Sequence, residues 1–392
     1  MDTFSRRSLL RKAGAAGLAA GVASLPWSHE ADAVSTYKTS LQPGESIDVT
    51  GTDLSVTQAL TIVTVTSGPI VPPPPPPPPP IDTTGFEMGI DWEALPLSGT
   101  AYNRIVALAK GTGQLDQSNI DAPNTSVLLA NAALHRRTGQ AIYQTKVIAM
   151  LKADKPYSTS AHEPALQLGR NMAARAIAAA WVGYSDAAYL DKLAKLRTAP
   201  TGSGDTATMI ATHERRGNNF STCCGMSRIA IDLLIGDTTD LARAVKVHRG
   251  YVGERDQYTG FHFGDLLWQS DKTKPVGINP RGAKISTADV DGVLPDDQRR
   301  TAGTPASPNK ANYVDQALGE LLVTCALLGA PRYGDEAVVR AYGWLNRRRF
   351  VQLGDDRWQP AMANALYGAG TANPASGTQD GKSFGITDWL YS

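Results

Sequence analysis

From Gly85 onward the apolar positions recur at spacings of three and four, as in Leu128, Leu129, Ala132 and Ala133, or Ala174, Ile177, Ala178 and Trp181. That is the period of a helix. Glycine punctuates the runs. One ends at Thr138 before Gly139, and Gln140 to Lys152 follows; Ala173 to Val182 stops at Gly183, and Asp186 to Leu196 follows. Ile229 to Ile235 stops at Gly236 ahead of Asp237 to Val247, and Leu318 to Leu328 stops at Gly329 ahead of Pro331 and Asp335 to Leu345. Glycine takes the left-handed conformation past a helix end at little cost, so each stop predicts a helical hairpin. The pattern predicts an all-α domain. Repeated hairpins favour a layered array, and the irregular period excludes a short-repeat solenoid. An (α/α) toroid, complete or incomplete, is the expected architecture. Arg170-Asn171 is expected to open the helix Met172 to Val182. The stretch 250–312, rich in Gly, Pro and Asp, breaks the pattern and is long for a connection without function; it is expected to crowd one mouth of the array.

The first part of the chain follows different rules. Residues 1–33 read as an export signal: Arg6-Arg7 precedes a mild apolar run from Ala13 to Leu25, and Ala31-Asp32-Ala33 places small residues at a cleavage site. The run is too short and too weakly apolar to span a bilayer. Residues 34–70 form a Thr/Ser-rich segment with an alternating patch at 60–66 that suits a strand or two. Residues 71–84 form a linker containing Pro72 to Pro80 without interruption. Such a run is polyproline II, a spacer of roughly 28 Å at about 3.1 Å per residue. The helical domain then covers 85–392, and the expected destination is the periplasm or the medium.

Composition narrows the partners. A chain of 392 residues with 42% hydrophobic residues buries a large core. A formal net charge of +1 offers no global attraction for nucleic acid. The three cysteines, Cys223, Cys224 and Cys325, lack zinc-like spacing, and their default is a buried free thiol. No phosphate-binding glycine loop or Gly-x-Ser-x-Gly elbow is present. No organic cofactor is expected and no metal is assigned, although Asp289, Asp291, Asp296 and Asp297 in one loop leave a calcium ion open.

The chemistry concentrates in Arg215-Arg216-Gly217-Asn218-Asn219-Phe220-Ser221-Thr222-Cys223-Cys224-Gly225. One asparagine suits a helix N-cap; two in a row exceed what a cap requires. This segment resembles the Asn-Asn-His motif of the alginate-lyase-type polysaccharide lyases, whose fold is a helical toroid. A second segment, Asp291-Gly292-Val293-Leu294-Pro295 with Arg299-Arg300 and then Asn312-Tyr313, resembles that family's Asp-Gly-x-x-Pro…Arg…Tyr block. The resemblance covers roughly the region 90–370. It departs at one position, where Phe220 stands in place of the family's histidine.

The resemblance implies β-elimination on a uronate polymer such as alginate or a glucuronan. Such an enzyme neutralises the sugar carboxylate, removes the weakly acidic C5 proton and protonates the departing O4. Amide and guanidinium donors suit the first task. Tyrosine suits the other two when a nearby arginine favours its phenolate. Residue by residue, Asn219 matches the carboxylate-neutralising asparagine, Arg300 the arginine, with Arg299 as its competitor, and Tyr313 the tyrosine. Asn218 joins them as a substrate-binding residue. His213 and His262 are the candidates to replace the missing histidine. Trp268, Trp358 and Tyr367, in loop-like stretches, are candidate platforms for pyranose faces; Trp181 and Trp344, within helical runs, are assigned to the core. Two rivals remain: a glycoside hydrolase drawing its two carboxyl groups from Glu214, Asp296, Asp297, Asp355 and Asp356, and a non-catalytic glycan-binding protein.

Overall fold

The computed structural model describes residues 84–118, 124–161, 163–201, 206–329, 334–372 and 383–392. The expected export signal, the Thr/Ser-rich segment and all of the linker before Thr84 lie outside the described residues, as does Pro331. The described residues fall within the unit Pro78–Ser392 and are mostly helical, with almost no sheet.

After a short turn at Thr84–Glu87 come α1 (Gly99–Lys110), α2 (Asn124–Thr138), α3 (Ala141–Lys152), α4 (Pro164–Trp181) and α5 (Ala187–Leu196). Then follow α6 (Met209–Arg215), α7 (Asn219–Ile235) and α8 (Thr238–Tyr251). The long connection after α8 holds a hairpin of two short strands, β1 (Lys284–Ile285) and β2 (Ala288–Asp289), and the one-turn α9 (Pro295–Gln298). The chain finishes with α10 (Asn312–Leu328), α11 (Asp335–Arg347), α12 (Gln359–Tyr367) and α13 (Thr387–Leu390).

The glycine stops behave as the sequence predicts. Gly139, Gly183, Gly236 and Gly329 follow α2, α4, α7 and α10 with φ of 68°, 67°, 72° and 84°. One boundary differs. The helix expected to open at Arg170-Asn171 begins at Pro164, where a missing N–H costs nothing in the first turn. Arg170 and Asn171 sit in its middle, and both are buried.

Helices α2, α4, α7 and α10 form an inner row, each packed on the next, with α1 and α3 against α2, α8 against α7 and α11 against α10. The inner helices are buried on nearly every face; in α4 only Pro164 is not. Small residues let them approach closely. A Cβ on Gly169 of α4 would lie 2.5 Å from Cys223 Sγ and 2.9 Å from the Cys224 nitrogen of α7. At that contact Ser227 Oγ enters the ladder of α4, donating to the Gly169 carbonyl at 2.6 Å and accepting from the Ala173 N–H at 2.8 Å. The C-terminal α13 packs on both α12 and α1. Asp388 pairs there with Arg104, and Trp389 Nε1 donates to the Pro96 carbonyl at 2.9 Å. The described end of the chain thus returns to its described beginning.

The connection between α8 and α10 is held by a buried side chain, Asn279. Its amide donates to the Trp268 carbonyl at 2.9 Å and accepts from the Ser270 N–H at 3.2 Å, while Arg340 of α11 donates to its backbone carbonyl at 2.6 Å. Among the described residues no helix is long and apolar enough to cross a membrane.

Candidate active site

The site forms where α7 starts. Asn218 caps that helix: its side-chain oxygen accepts the Phe220 N–H at 3.2 Å. Asn219, the first helical residue, has a second orphan N–H to satisfy. Asp297 of α9 takes it at 3.0 Å. This one hydrogen bond docks the Asp-Gly-x-x-Pro block onto the Asn-Asn segment. Burial pushes the Asp297 carboxyl well above the usual carboxylate range, against the pull of the Asn219 N–H, and its second oxygen has no hydrogen-bond partner.

The docking brings the three matched residues together. Arg300 Nη1 donates to Asn219 Oδ1 at 2.7 Å. The guanidinium carbon lies 3.5 Å from the centre of the Tyr313 ring, a close cation–π contact with the first turn of α10. Arg300 can only donate, so the Asn219 oxygen must face it and the amide nitrogen must face away. That nitrogen donates to Gln316 Oε1 at 3.2 Å. Asn219 is buried, Arg300 half-buried and Tyr313 36% exposed. The nearest carboxylate to Arg300 is Asp297 at 3.8 Å, so its charge is met chiefly by a neutral amide and a ring.

Arg299 turns the other way. Its Nε donates to Asp296 Oδ1 at 2.7 Å, and Nη1 lies 3.4 Å from Asp265. It holds the loop at Gly264, whose N–H donates to the same Asp296 oxygen at 2.7 Å. Of the two adjacent arginines, Arg300 alone reaches Asn219.

The other expected residues scatter. His213 is enclosed, at 3% exposure, with Nδ1 3.4 Å from Arg228 Nη1 and its ring against Gly225. Burial, seconded by the charge of Arg228, pushes its pKa well below the ordinary histidine range. It is a packed neutral imidazole, and that position corrects its candidacy as a base facing a polymer. His262 is exposed, and its N–H donates to the Arg215 carbonyl at 2.6 Å, so it runs beside the segment leading into Asn218. Trp268 is 2% exposed and belongs to the core, a second correction: the loop that carries it folds inward on Asn279. Trp358 is also buried, packed edge-to-face on Phe384. Tyr367 is half-buried at the end of α12. Trp181 and Trp344 are buried.

Sequence reasoning missed Gln316, Arg170 and Glu320. Gln316 and Glu320 follow Tyr313 at spacings of three and four, one face of α10; that polar stripe on an apolar helix was the available signal. Glu320 accepts from Thr222 Oγ1 at 2.6 Å and from Arg170 Nε at 3.3 Å, joining three inner helices. Burial pushes its carboxyl up to about 7, although Arg170 pulls the other way. A small cavity of about 20 Å³ opens here, lined by Arg170, Gln316, Glu320, Asp355, Asp356 and Trp358. The Asp356 carboxyl is raised well above its ordinary range by burial, and Arg170 Nη2 lacks a hydrogen-bond partner.

The loop aspartates are already engaged. Asp289 pairs with Arg347 at 3.0 Å, Asp291 with Arg340 at 2.9 Å and Asp296 with Arg299. Among the described residues no group of three His, Cys, Asp or Glu side chains could hold a metal ion. The three cysteines are free and buried. Comparison with protein-family models, with curated proteins and with solved structures gives no match.

Proposed function

We propose that this protein is an exported polysaccharide lyase that cleaves a uronate polymer of the alginate or glucuronan type by β-elimination. One observation carries the reading: the Asn219–Arg300–Tyr313 cluster, an amide and an incompletely paired guanidinium beside a solvent-reaching phenol. The sugar carboxylate approaches Arg300 and the amide of Asn219, which turns from Gln316 toward it. These donors stabilise the charge that grows on the carboxylate as the C5 proton leaves. The scheme requires Tyr313 to enter as the phenolate: its oxygen takes that proton, the C4–O4 bond breaks as the C4–C5 double bond forms, and the hydroxyl so formed returns the proton to O4, which regenerates the phenolate. Phe220 removes histidine from this scheme, which leaves Tyr313 to act alone or with His262. In this reading the inner row of helices closes through α13 and α1 into a toroid, and the twin arginines direct export.

A second reading has its own observation. Glu320 and Asp356 line one cavity and both hold protons above the usual carboxylate range, as the acid of a glycoside hydrolase must. Of the other rival carboxylates, Glu214 and Asp296 are already paired with arginines.

The test is product chemistry on a panel of mannuronate, guluronate and glucuronate polymers. Elimination creates an unsaturated uronate that absorbs in the ultraviolet, and this product is expected. New reducing ends without that absorbance establish the hydrolase instead. Binding without either product makes the protein a glycan-binding module and overturns both catalytic readings.

A further inference from the structure

Phe220 directly follows Asn219 on α7, and consecutive helical residues point about 100° apart. Asn219 therefore faces α10 and Arg300, while Phe220 faces a different space. That space is an open cleft of about 240 Å³, lined by Phe220, Arg216, Thr201, Thr206, Thr212 and the start of α4 at Glu163, Pro164 and Ala165. Arg216 is exposed, and its guanidinium carbon lies 5.9 Å from the centre of the Phe220 ring. Among the described residues its side chain makes no ion pair, unlike Arg197, Arg228, Arg243 and Arg299 nearby in the sequence or fold.

We propose that this cleft is a second sugar subsite, in which Phe220 is the stacking platform and Arg216 reads the carboxylate of a uronate adjoining the one at Asn219. The proposal rests on the lyase reading for its place along the polymer. Its chemistry stands on the lining. A pyranuronate presents an apolar ring face, one carboxylate and several hydroxyls. The cleft presents a half-buried aromatic ring, one unpaired cation and a set of acceptors. Thr201 and Thr212 both donate their hydroxyl protons to the Thr206 carbonyl, at 3.3 and 3.1 Å, so toward a ligand they act as acceptors. Glu163, exposed and lining the same cleft, is a further acceptor for sugar hydroxyls and repels a carboxylate turned the wrong way. Glu163 is also held at φ 48° and ψ 61°, a left-handed conformation that a non-glycine residue rarely adopts and that aims the chain into Pro164. The departure from the family motif thereby gains a positive role. Phenylalanine exchanges a proton-transfer group for a surface that grips the chain one residue along.

Titration calorimetry with uronate oligomers from dimer to hexamer tests this, in a Tyr313→Phe background so that no substrate is consumed. Phe220→Leu, which keeps an apolar side chain but loses the flat ring, is expected to weaken the longer oligomers about tenfold, and Phe220→Tyr to retain them. Arg216→Gln is expected to weaken uronate oligomers by a similar factor and to leave their carboxyl-reduced, neutral counterparts unaffected. Both variants binding every oligomer as the parent does overturns the subsite. The two proposals fail separately: polymer cleavage by an otherwise wild-type chain carrying Phe220→Leu with parental KM sinks the subsite alone. Oligomer binding that needs Phe220 and Arg216, with no unsaturated product from any polymer, sinks the lyase alone.

Discussion

Two of the arginines that meet helix α7, Arg228 and Arg300, are treated in opposite ways. Arg228, on α7 itself, is 1% exposed and fully engaged: Nε and Nη2 grip Asp240 at 2.9 and 2.6 Å, and Nη1 reaches Glu214 at 3.1 Å. Its acids are shared in turn, Glu214 with Arg243 and Asp240 with Arg197. Arg300, beside the start of α7, is half-buried, and among the described residues its side chain hydrogen-bonds to one amide oxygen. A buried charge must be compensated within the protein, and the Arg228 cluster does so, tying α6, α7 and α8 together. A partly exposed charge whose carboxylate neighbour, Asp297, stands back at 3.8 Å keeps capacity for an anion. The first arginine holds the fold; in the proposed function the second meets the substrate carboxylate.

The largest expected effects separate these roles. Asn219→Ala and Arg300→Ala should each lower turnover by about a hundredfold to a thousandfold, the loss of one donor aimed at developing charge. Tyr313→Phe should bring activity near background, because it deletes the proton carrier and keeps the ring beneath Arg300. Thermal denaturation should place these variants close to the parent. A large residual rate in Tyr313→Phe identifies another base, and His262→Ala is then the variant to measure. Arg228→Ala should do the reverse. Removing one partner of a buried ion cluster costs about 3–5 kcal/mol, read in denaturant melts, while the activity of each folded molecule persists.

Glu320 sharpens the comparison through pH. Its carboxyl is pushed by burial from 4.5 up to about 7 in the folded state. The folded protein therefore holds this proton where the unfolded chain has lost it. The resulting stability is complete below about pH 4.5 and is lost as pH rises through about 7. Glu320→Gln cannot lose a proton, so the stability difference between parent and variant should change by about 3 kcal/mol across that window, in the variant's favour. Parallel stability curves would show that Glu320 titrates normally.

The helices were legible because their punctuation is local. A glycine at φ 72°, such as Gly236, is a property of one residue, and the sequence displays it. The start of α4 was misread because its buried face is polar at Arg170 and Asn171, which look like a boundary when only periodicity is followed. Their partners, Glu320 for Arg170 and the Gln117 carbonyl for Asn171, are distant in sequence. The motif residues were legible as a set, but which of Arg299 and Arg300 faces Asn219 depends on the turn of a four-residue helix. Trp268 and His213 were misplaced for a related reason. Their enclosure is decided by Asn279 and by Gly225 against Arg228, contacts that no local pattern announces.

The smallest expected effect falls on Arg299, and it tests the pairing of motifs most directly. Arg299→Ala removes an ion pair to Asp296 and a weaker contact to Asp265, at a side chain that is one-quarter exposed. Water screens such a pair, so the loss should be about 1 kcal/mol. Asp296 keeps the Gly264 N–H as a donor, which holds the loop in place. Turnover should remain within a few-fold of the parent, since nothing on Arg299 reaches Asn219 or Tyr313. If Arg299→Ala abolishes activity while Arg300→Ala spares it, the substrate carboxylate sits on the Asp265 side of α9. The cluster at the start of α7 would then be a packing contact.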